Sequence, residues 1–325
     1  MTSENKLRIV FMGTPEFAVT ILDEIMRSRH EVVGVVTVAD KPAGRGQQIK
    51  ESAVKTYAKS KNVPILQPEK LKDERFLTEL KSLNADIFVV VAFRMLPEIV
   101  WAMPPKGTFN LHASLLPKYR GAAPINWAII NGETETGVTT FFINEIIDTG
   151  SILAQEKVGI SENMTAGELN YELMHLGAKL TVETLNNLAN GKIMAVPQDE
   201  ELAKQLPHAP KIFKADCEID WNEKAYSVHN KIRGLSPYPA AWCKLTKDGE
   251  KLNFKLFTSK VTNEVADSIS LKKGADGILF PCADYYISIS ELQPEGKRRM
   301  NYKEFLAGND LEKYQIDHPK FNMRN

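Results

Sequence analysis

The sequence of 325 residues contains little cysteine and no long apolar run. Its three cysteines, Cys217, Cys243 and Cys282, are widely spaced and odd in number, so they predict neither a disulfide framework nor a zinc site. The first residues do not resemble an export signal, and no apolar run approaches the roughly 18 residues that suggest a membrane span. The sequence therefore predicts a soluble protein of a reducing compartment, without a membrane segment.

The sequence also lacks net charge, because 41 basic residues balance 41 acidic ones. The charge of the whole molecule therefore gives no indication of a polyanionic partner such as a nucleic acid. A small excess of positive charge follows residue 210, and an equal excess of negative charge precedes it. This asymmetry permits a C-terminal domain that faces a polyanion, but it does not require one.

Strand-like and helix-like segments alternate through the first half of the chain. Apolar or β-branched runs lie at 7–12, 31–38 and 86–93, and between them apolar residues recur at helical spacing. The run 86–93 is apolar almost throughout, which is typical of a parallel strand covered on both faces. The alternation predicts an α/β fold with an open, mostly parallel sheet, in which ligands bind beyond the carboxyl ends of the strands.

The pattern changes in the last third of the chain. A long helical stretch at 165–189 is followed by a polar segment with three prolines, and after that come short strands separated by turns. Short strands of this kind predict a small β-barrel or sandwich. We therefore expect an α/β domain at 1–190, a linker at 191–210 and a smaller β-rich domain at 211–325.

An Asn-x-His pair lies where a strand of the first domain ends. Because side chains alternate along a strand, Asn110 and His112 face the same way and reach one site. An amide can donate to a developing oxyanion and a histidine can shuttle a proton, so the pair suits acyl-type transfer. A histidine with satisfied hydrogen bonds beside a turn is the alternative, and one such pair does not decide between them.

The next predicted strand is followed by the motif Asp-Thr-Gly at 148–150, which contains the carboxylate of Asp148. In a catalytic role it would orient His112 and stabilise the imidazolium form of that ring. The alternative is an Asx-turn, in which the carboxylate binds its own backbone.

Positive charge lies in two regions. The segment 40–48 is rich in Gly and Pro and carries Lys41 and Arg45, so it could contact phosphate or ribose, although a solvated surface loop explains it as well. In the C-terminal domain, scattered cations would usually form a solvated face, but on a small barrel they could bind a nucleic-acid backbone. They include Lys211, Lys214 and Arg233.

Four motifs, in order, resemble the methionyl-tRNA formyltransferases, which belong to the 10-formyltetrahydrofolate-dependent formyltransferase family. They lie at 11–18, 41–46, 110–124 and 148–150, and the resemblance covers essentially the whole chain. It implies a Rossmann-like catalytic domain of the formyltransferase fold, followed by an OB-like β-barrel domain that helps to hold tRNA. It also implies a monomeric cytoplasmic enzyme of bacterial translation initiation, which transfers formyl from 10-formyltetrahydrofolate to methionyl initiator tRNA and needs no metal.

The resemblance assigns roles to residues. It implies that Asn110, His112 and Asp148 are catalytic and that the loop with Arg45 contacts the acceptor end of the tRNA. The residues expected to bind the folate are Phe93, Met95, Ser114, Leu115, Leu116 and Pro117. Those expected to bind tRNA are Lys41, Arg45, Lys211, Lys214 and Arg233. The sequence departs from many relatives at Ala113, where they carry Gly, and at 93–97, where their loop is longer.

The sequence leaves three other functions open. Another folate formyltransferase would act on glycinamide ribonucleotide or an amino sugar, and a hydrolase would strip formyl from folate with the same three residues. A non-enzymatic nucleic-acid-binding protein is the third alternative, but pure binding does not need the triplet of Asn110, His112 and Asp148.

Overall fold

The computed structural model describes residues 5–43 and 48–316, with the backbone alone at 41–43 and 48–49. The chain forms two compact units that interleave along the sequence. The first comprises Met1–Pro124, Glu135–Val158 and Asn170–His208. The second comprises Ile125–Thr134, Gly159–Leu169 and Ala209–Asn325. The expected linker was 191–210. Its residues 191–208 therefore belong to the first unit.

A seven-stranded sheet organises the first unit, in the order β5-β2-β1-β6-β7-β8-β9. The strands from β5 to β7 are parallel, and β8 runs antiparallel to β7. A separate antiparallel pair, β3 and β4, includes part of the segment 40–48 that was expected as a loop. The strands are β1 (Arg8–Gly13), β2 (Glu31–Val36), β3 (Lys41–Ala43), β4 (Gln48–Lys50), β5 (Ile65–Leu66), β6 (Ile87–Val91), β7 (Thr108–His112), β8 (Glu135–Phe142) and β9 (Ile152–Gly159).

Helices between these strands form because apolar residues recur at helical spacing and polar residues cap the ends. The buried face of α1 shows this spacing, and Ser52 and Asp73 cap α2 and α3 by accepting backbone N–H bonds. The helices are α1 (Glu16–Arg27), α2 (Ala53–Ser60), α3 (Glu74–Ser82), α4 (Glu98–Trp101), α5 (Pro124–Ile130), α6 (Ala166–Ala189) and α7 (Glu200–Ala203). The predicted α/β fold with a mostly parallel sheet is confirmed.

The strand order marks the edge of this sheet at which doubly wound folds bind ligands. The order reverses between β1 and β6, and in doubly wound sheets ligands bind outside the carboxyl ends at such a switch point. Strand β7 is the parallel neighbour of β6 and ends at the same edge. Its last residues are Asn110 to His112, so the fold brings them to this edge.

The second unit contains an antiparallel sheet in the order β12-β13-β14-β11-β10-β16. An isolated bridge between Ser270 and Gln315 joins the segment before β12 to β16, so the sheet curls round to meet its own end. The predicted smaller barrel-like domain is thereby confirmed. Its elements are α8 (Ala225–Leu235), β10 (Ala241–Lys247), β11 (Glu250–Val265), β12 (Lys272–Lys273), β13 (Ile278–Pro281), β14 (Tyr285–Pro294), β15 (Met300–Asn301), α9 (Tyr302–Ala307) and β16 (Tyr314–Ile316).

Long strands and aromatic packing make this curvature possible. Strand β11 pairs with both β10 and β14, and its register with β14 shifts between 256 and 265, where bulges bend it. Inside the curled sheet, Trp221 stacks on Phe280 with ring centroids 5.0 Å apart, and Phe254 packs edge-on against Phe305. Among residues 5–43 and 48–316, no helix is long and apolar enough to cross a membrane.

Candidate active site

Strand β7 presents the two residues that the sequence singled out. Asn110 pairs with Val90 of β6, and His112 pairs with Thr139 of β8, so the strand is held on both sides. Leu111, between them, points to the opposite face, where it packs against Gly177 of α6. The regular alternation of β7 therefore places the amide and the imidazole on one face.

Both ring nitrogens of His112 face oxygen atoms of the protein. Nε2 lies 2.8 Å from the carbonyl oxygen of Tyr119, and because a carbonyl only accepts, Nε2 carries the hydrogen. Nδ1 lies 3.8 Å from Oδ2 of Asp148, beyond hydrogen-bond distance but close enough for a strong electrostatic interaction. Both side chains are almost fully buried, and the ring packs edge-on against Phe141. The structure thus brings together the histidine and carboxylate predicted to interact.

The turn that carries Asp148 has an unusual and well-supported conformation. Asp148 has a φ of 58°, in the left-handed region that non-glycine residues rarely occupy. Its Oδ2 accepts a hydrogen bond of 2.9 Å from the backbone N–H of Gly121. A Cβ at Gly150 would lie 1.6 Å from the carbonyl oxygen of Phe142, so only glycine fits there. These contacts fix the carboxylate in place beside the ring.

A buried glutamine and an arginine with a largely buried side chain support this turn. The side-chain amide of Gln198 donates to the carbonyls of Asp148 and Gly150, at 2.9 and 2.8 Å. Its oxygen accepts from Nε and a terminal nitrogen of Arg120, at 3.2 and 2.7 Å. Arg120 also forms a two-pronged ion pair with Glu200. Arg120 belongs to the sequence motif at 110–124, although no role was predicted for it, and Gln198 lay in the expected linker, where nothing marked it as functional.

Asn110 carries an unsatisfied polar atom. Its Oδ1 is buried and has no hydrogen-bond partner among the described residues. Oγ1 of Thr14, just after β1 at the same sheet edge, is buried and unpartnered in the same sense. Buried polar groups are normally hydrogen-bonded, so two unpartnered atoms at this sheet edge are consistent with a site that receives a polar ligand.

The loop after β7, predicted to line a folate pocket, is bound tightly to the sheet. The Ser114 hydroxyl donates to the carbonyl of Lys118, and the Thr139 hydroxyl donates to the carbonyl of Ser114 and accepts from the N–H of Leu116. Ser114 and Leu116 are therefore buried in the packing of the loop itself. The other predicted folate residues lie nearer the surface: Leu115, Pro117 and Phe93 are half-buried, and Met95 is exposed.

The residues predicted to bind tRNA are placed differently from one another. Arg45 lies outside the described residues, and of Lys41 only the backbone in β3 is described. Lys211 and Lys214 are exposed on the second unit. Arg233 is 6% exposed and donates to the carbonyls of Ser161 and Met164, so its guanidinium is not available at the surface. Burial lowers the pKa of Arg233.

Metal ligands are not grouped anywhere in the described part of the chain. Within residues 5–43 and 48–316, no three His, Cys, Asp or Glu side chains are arranged to hold an ion. The site at the sheet edge consists instead of an amide, an imidazole and a carboxylate, a combination that performs acid–base chemistry and stabilises developing negative charge.

Comparison with known proteins links this geometry to a family. The profile of the formyl transferase family matches residues 7–185, and that of the formyl transferase C-terminal domain matches 211–310. The methionyl-tRNA formyltransferase of Flavobacterium johnsoniae is 52% identical over 305 residues, which cover 93% of this chain and 96% of that protein. That of Bacteroides fragilis is 49% identical over 307 residues, with 93% and 95% covered.

Solved structures share the fold at lower sequence identity. WlaRD, a sugar 3N-formyl transferase crystallised with dTDP and 5-N-formyl-THF, has a TM-score of 0.64 at 21% identity and covers 90% of this chain and 99% of its own. HypX from Aquifex aeolicus, in complex with tetrahydrofolic acid, has a TM-score of 0.63 at 18% identity and covers 93% of this chain and 47% of its own. At these identities the two structures show the fold alone.

Proposed function

This chain belongs to the methionyl-tRNA formyltransferases of the formyl transferase family, and from that premise we propose the reaction its site performs. It transfers the formyl group of 10-formyltetrahydrofolate to the amino group of methionyl initiator tRNA, which yields N-formylmethionyl-tRNA for bacterial translation initiation. The observation that carries the proposal is the buried pairing of His112 with Asp148, beside Asn110, at the carboxyl edge of the sheet. We place the enzyme in the cytoplasm and expect it to act as a monomer.

Asn110 offers a donor and an acceptor to the reacting groups. Its amide N–H can donate to the formyl oxygen as that atom gains negative charge, and losing one such donor typically costs about 10²–10³ in rate. Its buried Oδ1, unpartnered among the described residues, can accept from the N–H of the attacking amine. The unsatisfied atom therefore fits a substrate that brings its own donor.

His112 moves the proton. Its Nε2 is held by the carbonyl of Tyr119, whereas Nδ1 lies beyond hydrogen-bond distance of Asp148 and can exchange partners. Nδ1 takes the proton of the attacking amine and returns it to the nitrogen of the donor as its bond to the formyl carbon breaks. An imidazolium carries N–H on both nitrogens, and here it has an oxygen opposite each of them. Asp148 therefore stabilises the charge that the ring gains.

The loop after β7 offers a rigid wall to the formyl donor. 10-Formyltetrahydrofolate supplies an activated formyl group whose nitrogen can leave. The half-buried Leu115 and Pro117 give apolar surface that suits the flat pterin ring, and the bonds of Thr139 keep this loop fixed. We propose that Phe93 and Met95, after β6, border the same pocket, since β6 and β7 end at the same edge.

Tight packing limits the part that the remaining loop residues can take in this pocket. The hydroxyl of Ser114 donates to the backbone carbonyl of Lys118, and Leu116 is buried. These two residues therefore shape the loop and offer little side-chain surface to a ligand. We therefore keep both in the proposed folate site as residues that set the path of the backbone.

The exposed basic face of the second unit is the proposed tRNA contact. Lys211 and Lys214 flank Phe213, whose side chain is 61% exposed, and the ammonium of Lys211 lies 5.4 Å from the centre of its ring. Lysines neutralise phosphates, and an exposed aromatic ring can stack on an unpaired base. Lys41 and Arg45 remain part of the proposal for the acceptor end. The buried Arg233 is left out of it.

Formyl transfer measured directly tests the proposal. Purified protein is incubated with labelled 10-formyltetrahydrofolate and methionyl initiator tRNA, beside His112→Ala and the control His175→Ala, which alters an exposed histidine. We expect rapid labelling of the tRNA, a loss of about 10²–10⁴ in kcat for His112→Ala, and little change for the control. Labelled formate without labelled tRNA would show a hydrolase. Transfer only to glycinamide ribonucleotide or an amino sugar would identify another acceptor.

A further inference from the structure

We propose that Gln198 and Arg120 are positioning residues, which together hold Asp148 at its distance from His112. The inference deepens the proposed function and uses its reaction as the assay. Neither side chain touches the reacting atoms, and both act through the two turns that face the imidazole.

Each ring nitrogen of His112 faces a different turn, and both turns have strained backbones. Tyr119, whose carbonyl accepts from Nε2, has a φ of 59°, and Asp148, which faces Nδ1, has a φ of 58°. Left-handed conformations at residues other than glycine persist only where the surroundings enforce them. The geometry around His112 therefore depends on whatever holds these two turns.

Gln198 holds the Asp148 turn with every hydrogen-bonding group it possesses. Both of its N–H groups reach backbone carbonyls, those of Asp148 and Gly150, and its oxygen receives two N–H groups of Arg120. The partners fix the orientation of the amide, because carbonyls only accept and a guanidinium only donates. The residue is 9% exposed, so water competes little for these bonds. A shorter or apolar side chain cannot replace this arrangement.

Arg120 connects that amide to the other turn. It lies between Tyr119 and Gly121, whose backbone groups bind His112 and Asp148 respectively. The side chain is 10% exposed, and its guanidinium is fixed by Gln198 and by the carboxylate of Glu200. The pair of Gln198 and Arg120 therefore joins both turns, so that a shift of either side chain changes the contacts of His112.

Positioning of this kind should appear in kcat. A misplacement of about 1 Å at a catalytic group can cost about 10²-fold in rate. Gln198→Met keeps the length of the side chain and removes all four bonds. Gln198→Glu keeps an acceptor for Arg120 but turns an oxygen towards the two carbonyls. For both variants we expect kcat to fall about 10- to 100-fold, with KM for either substrate within about twofold of wild type. The control is Glu201→Gln, at a strongly exposed position of α7, the helix that begins two residues after Gln198, and no change is expected for it.

A double-mutant cycle separates positioning from general structural damage. Gln198 binds the turn of Asp148 directly and reaches the turn of Tyr119 only through Arg120, so its effect should pass mainly through the carboxylate of Asp148. Gln198→Met should then cost little in a protein that already carries Asp148→Asn, because residues that act as a unit are not additive. We expect the second substitution to lower kcat less than about threefold in that background. Any of three results would overturn the proposal. The first is an equal fold-decrease in kcat in both backgrounds, and the others are a wild-type kcat in Gln198→Met or in Gln198→Glu.

A measurement on the free protein, without substrate, tests the positioning of His112 independently of the proposed reaction. The ring ¹⁵N shifts of His112 report its hydrogen bonding, and they are assigned by their loss in His112→Asn. We expect Gln198→Met to move these shifts while Glu201→Gln leaves them in place. Unchanged shifts in the folded Gln198→Met protein would contradict positioning even if wild-type transfer were fast. Shifted signals in a protein that formylates no methionyl-tRNA would instead contradict only the proposed acceptor.

Discussion

Oδ2 of Asp148 lies 3.8 Å from Nδ1 of His112, with both side chains almost fully buried. The carboxylate is not hydrogen-bonded to the ring, but the backbone N–H of Gly121 holds it there. Because burial strengthens electrostatic interactions, this carboxylate can stabilise charge on the imidazole without immobilising Nδ1. The pair is thus arranged for a ring that must change its proton during each turnover.

The first prediction concerns the charge of Asp148. Asp148→Asn keeps the size of the side chain and an oxygen for Gly121 but removes the negative charge that faces His112. We expect kcat to fall at least about 10²-fold, with little change in either KM. The reason is that the charge of Asp148 stabilises the imidazolium form of His112, which arises only during the reaction. Steady-state kinetics measure this, with Asp276→Asn as an exposed control. A loss below tenfold would show that Asp148 only shapes the turn.

The second prediction separates stability from activity at Asn110. Since Oδ1 is buried without a partner among the described residues, Asn110→Leu removes an unsatisfied group from the free protein. We expect Tm to stay equal or rise slightly, while kcat falls about 10²-fold or more through loss of the oxyanion donor. Calorimetry and formyl transfer on the same preparation measure both quantities. A clear drop in Tm would show that the amide supports the fold instead.

Sequence patterns were most informative about strand ends in the catalytic unit. The apolar run 86–93 predicted a strand covered on both faces, because only such a strand is apolar at every position. The pair Asn110 and His112 predicted a shared face, which follows from the two-residue period of a strand. Strand β9 was not predicted, because its half-buried and exposed residues lack a clear apolar alternation. The interleaving of the two units could not be predicted either, since it depends on contacts between segments distant in the chain.

Side-chain partners were beyond what the sequence could show. Gln198 lay in a polar, proline-containing stretch whose composition matches a linker, and only the fold brings it to Asp148. Arg233 illustrates the opposite case. A basic residue in a small β-rich domain suggested a phosphate contact, but helix α8 turns it inward, where backbone carbonyls bind its guanidinium. Charge along a sequence does not tell which side of a helix faces solvent.

The third prediction tests the basic face of the second unit. Lys211→Ala and Lys214→Ala should each raise KM for tRNA severalfold and leave kcat at saturating tRNA unchanged. If each lysine neutralises one phosphate, the slope of log affinity against log salt should become shallower by about 0.7–0.9 for each substitution. Filter binding at several salt concentrations measures the slope, and Lys273→Ala is an exposed control. Unchanged slopes in both variants would remove this face from the tRNA contact.

The fourth prediction concerns the pH dependence of stability. Burial is the main cause that lowers the pKa of His229. Its Nε2 donates to the carbonyl of Glu162, so its Nδ1 accepts from the Ser259 hydroxyl, as a neutral ring requires. The unfolded chain therefore takes up a proton more readily than the folded one, and stability is lost as pH falls below about 6.5. The buried His30, with a pKa lowered by burial, acts in the same direction.

Calorimetry between pH 8 and pH 5 measures this loss. We expect Tm to decrease as the pH falls, and His229→Gln to lower Tm at pH 8 but to make the dependence on pH flatter. His175→Gln, at an exposed position, should keep the slope of the wild-type protein. A slope in His229→Gln equal to that of the wild type would assign the dependence to other groups.

The last prediction uses the glycine that closes the catalytic turn. In Gly150→Ala the new Cβ would lie 1.6 Å from the carbonyl oxygen of Phe142, so the backbone after Asp148 must move. The hydrogen bond from Gln198 to the carbonyl of residue 150 would be disturbed by the same shift. We expect both a lower Tm and a loss of kcat greater than the loss of folded protein. Gly308→Ala, where a Cβ meets nothing within 4 Å, is the matched control. If Gly150→Ala had wild-type kcat, the position of this turn would not limit catalysis, and the carboxylate of Asp148 would have to tolerate displacement from His112.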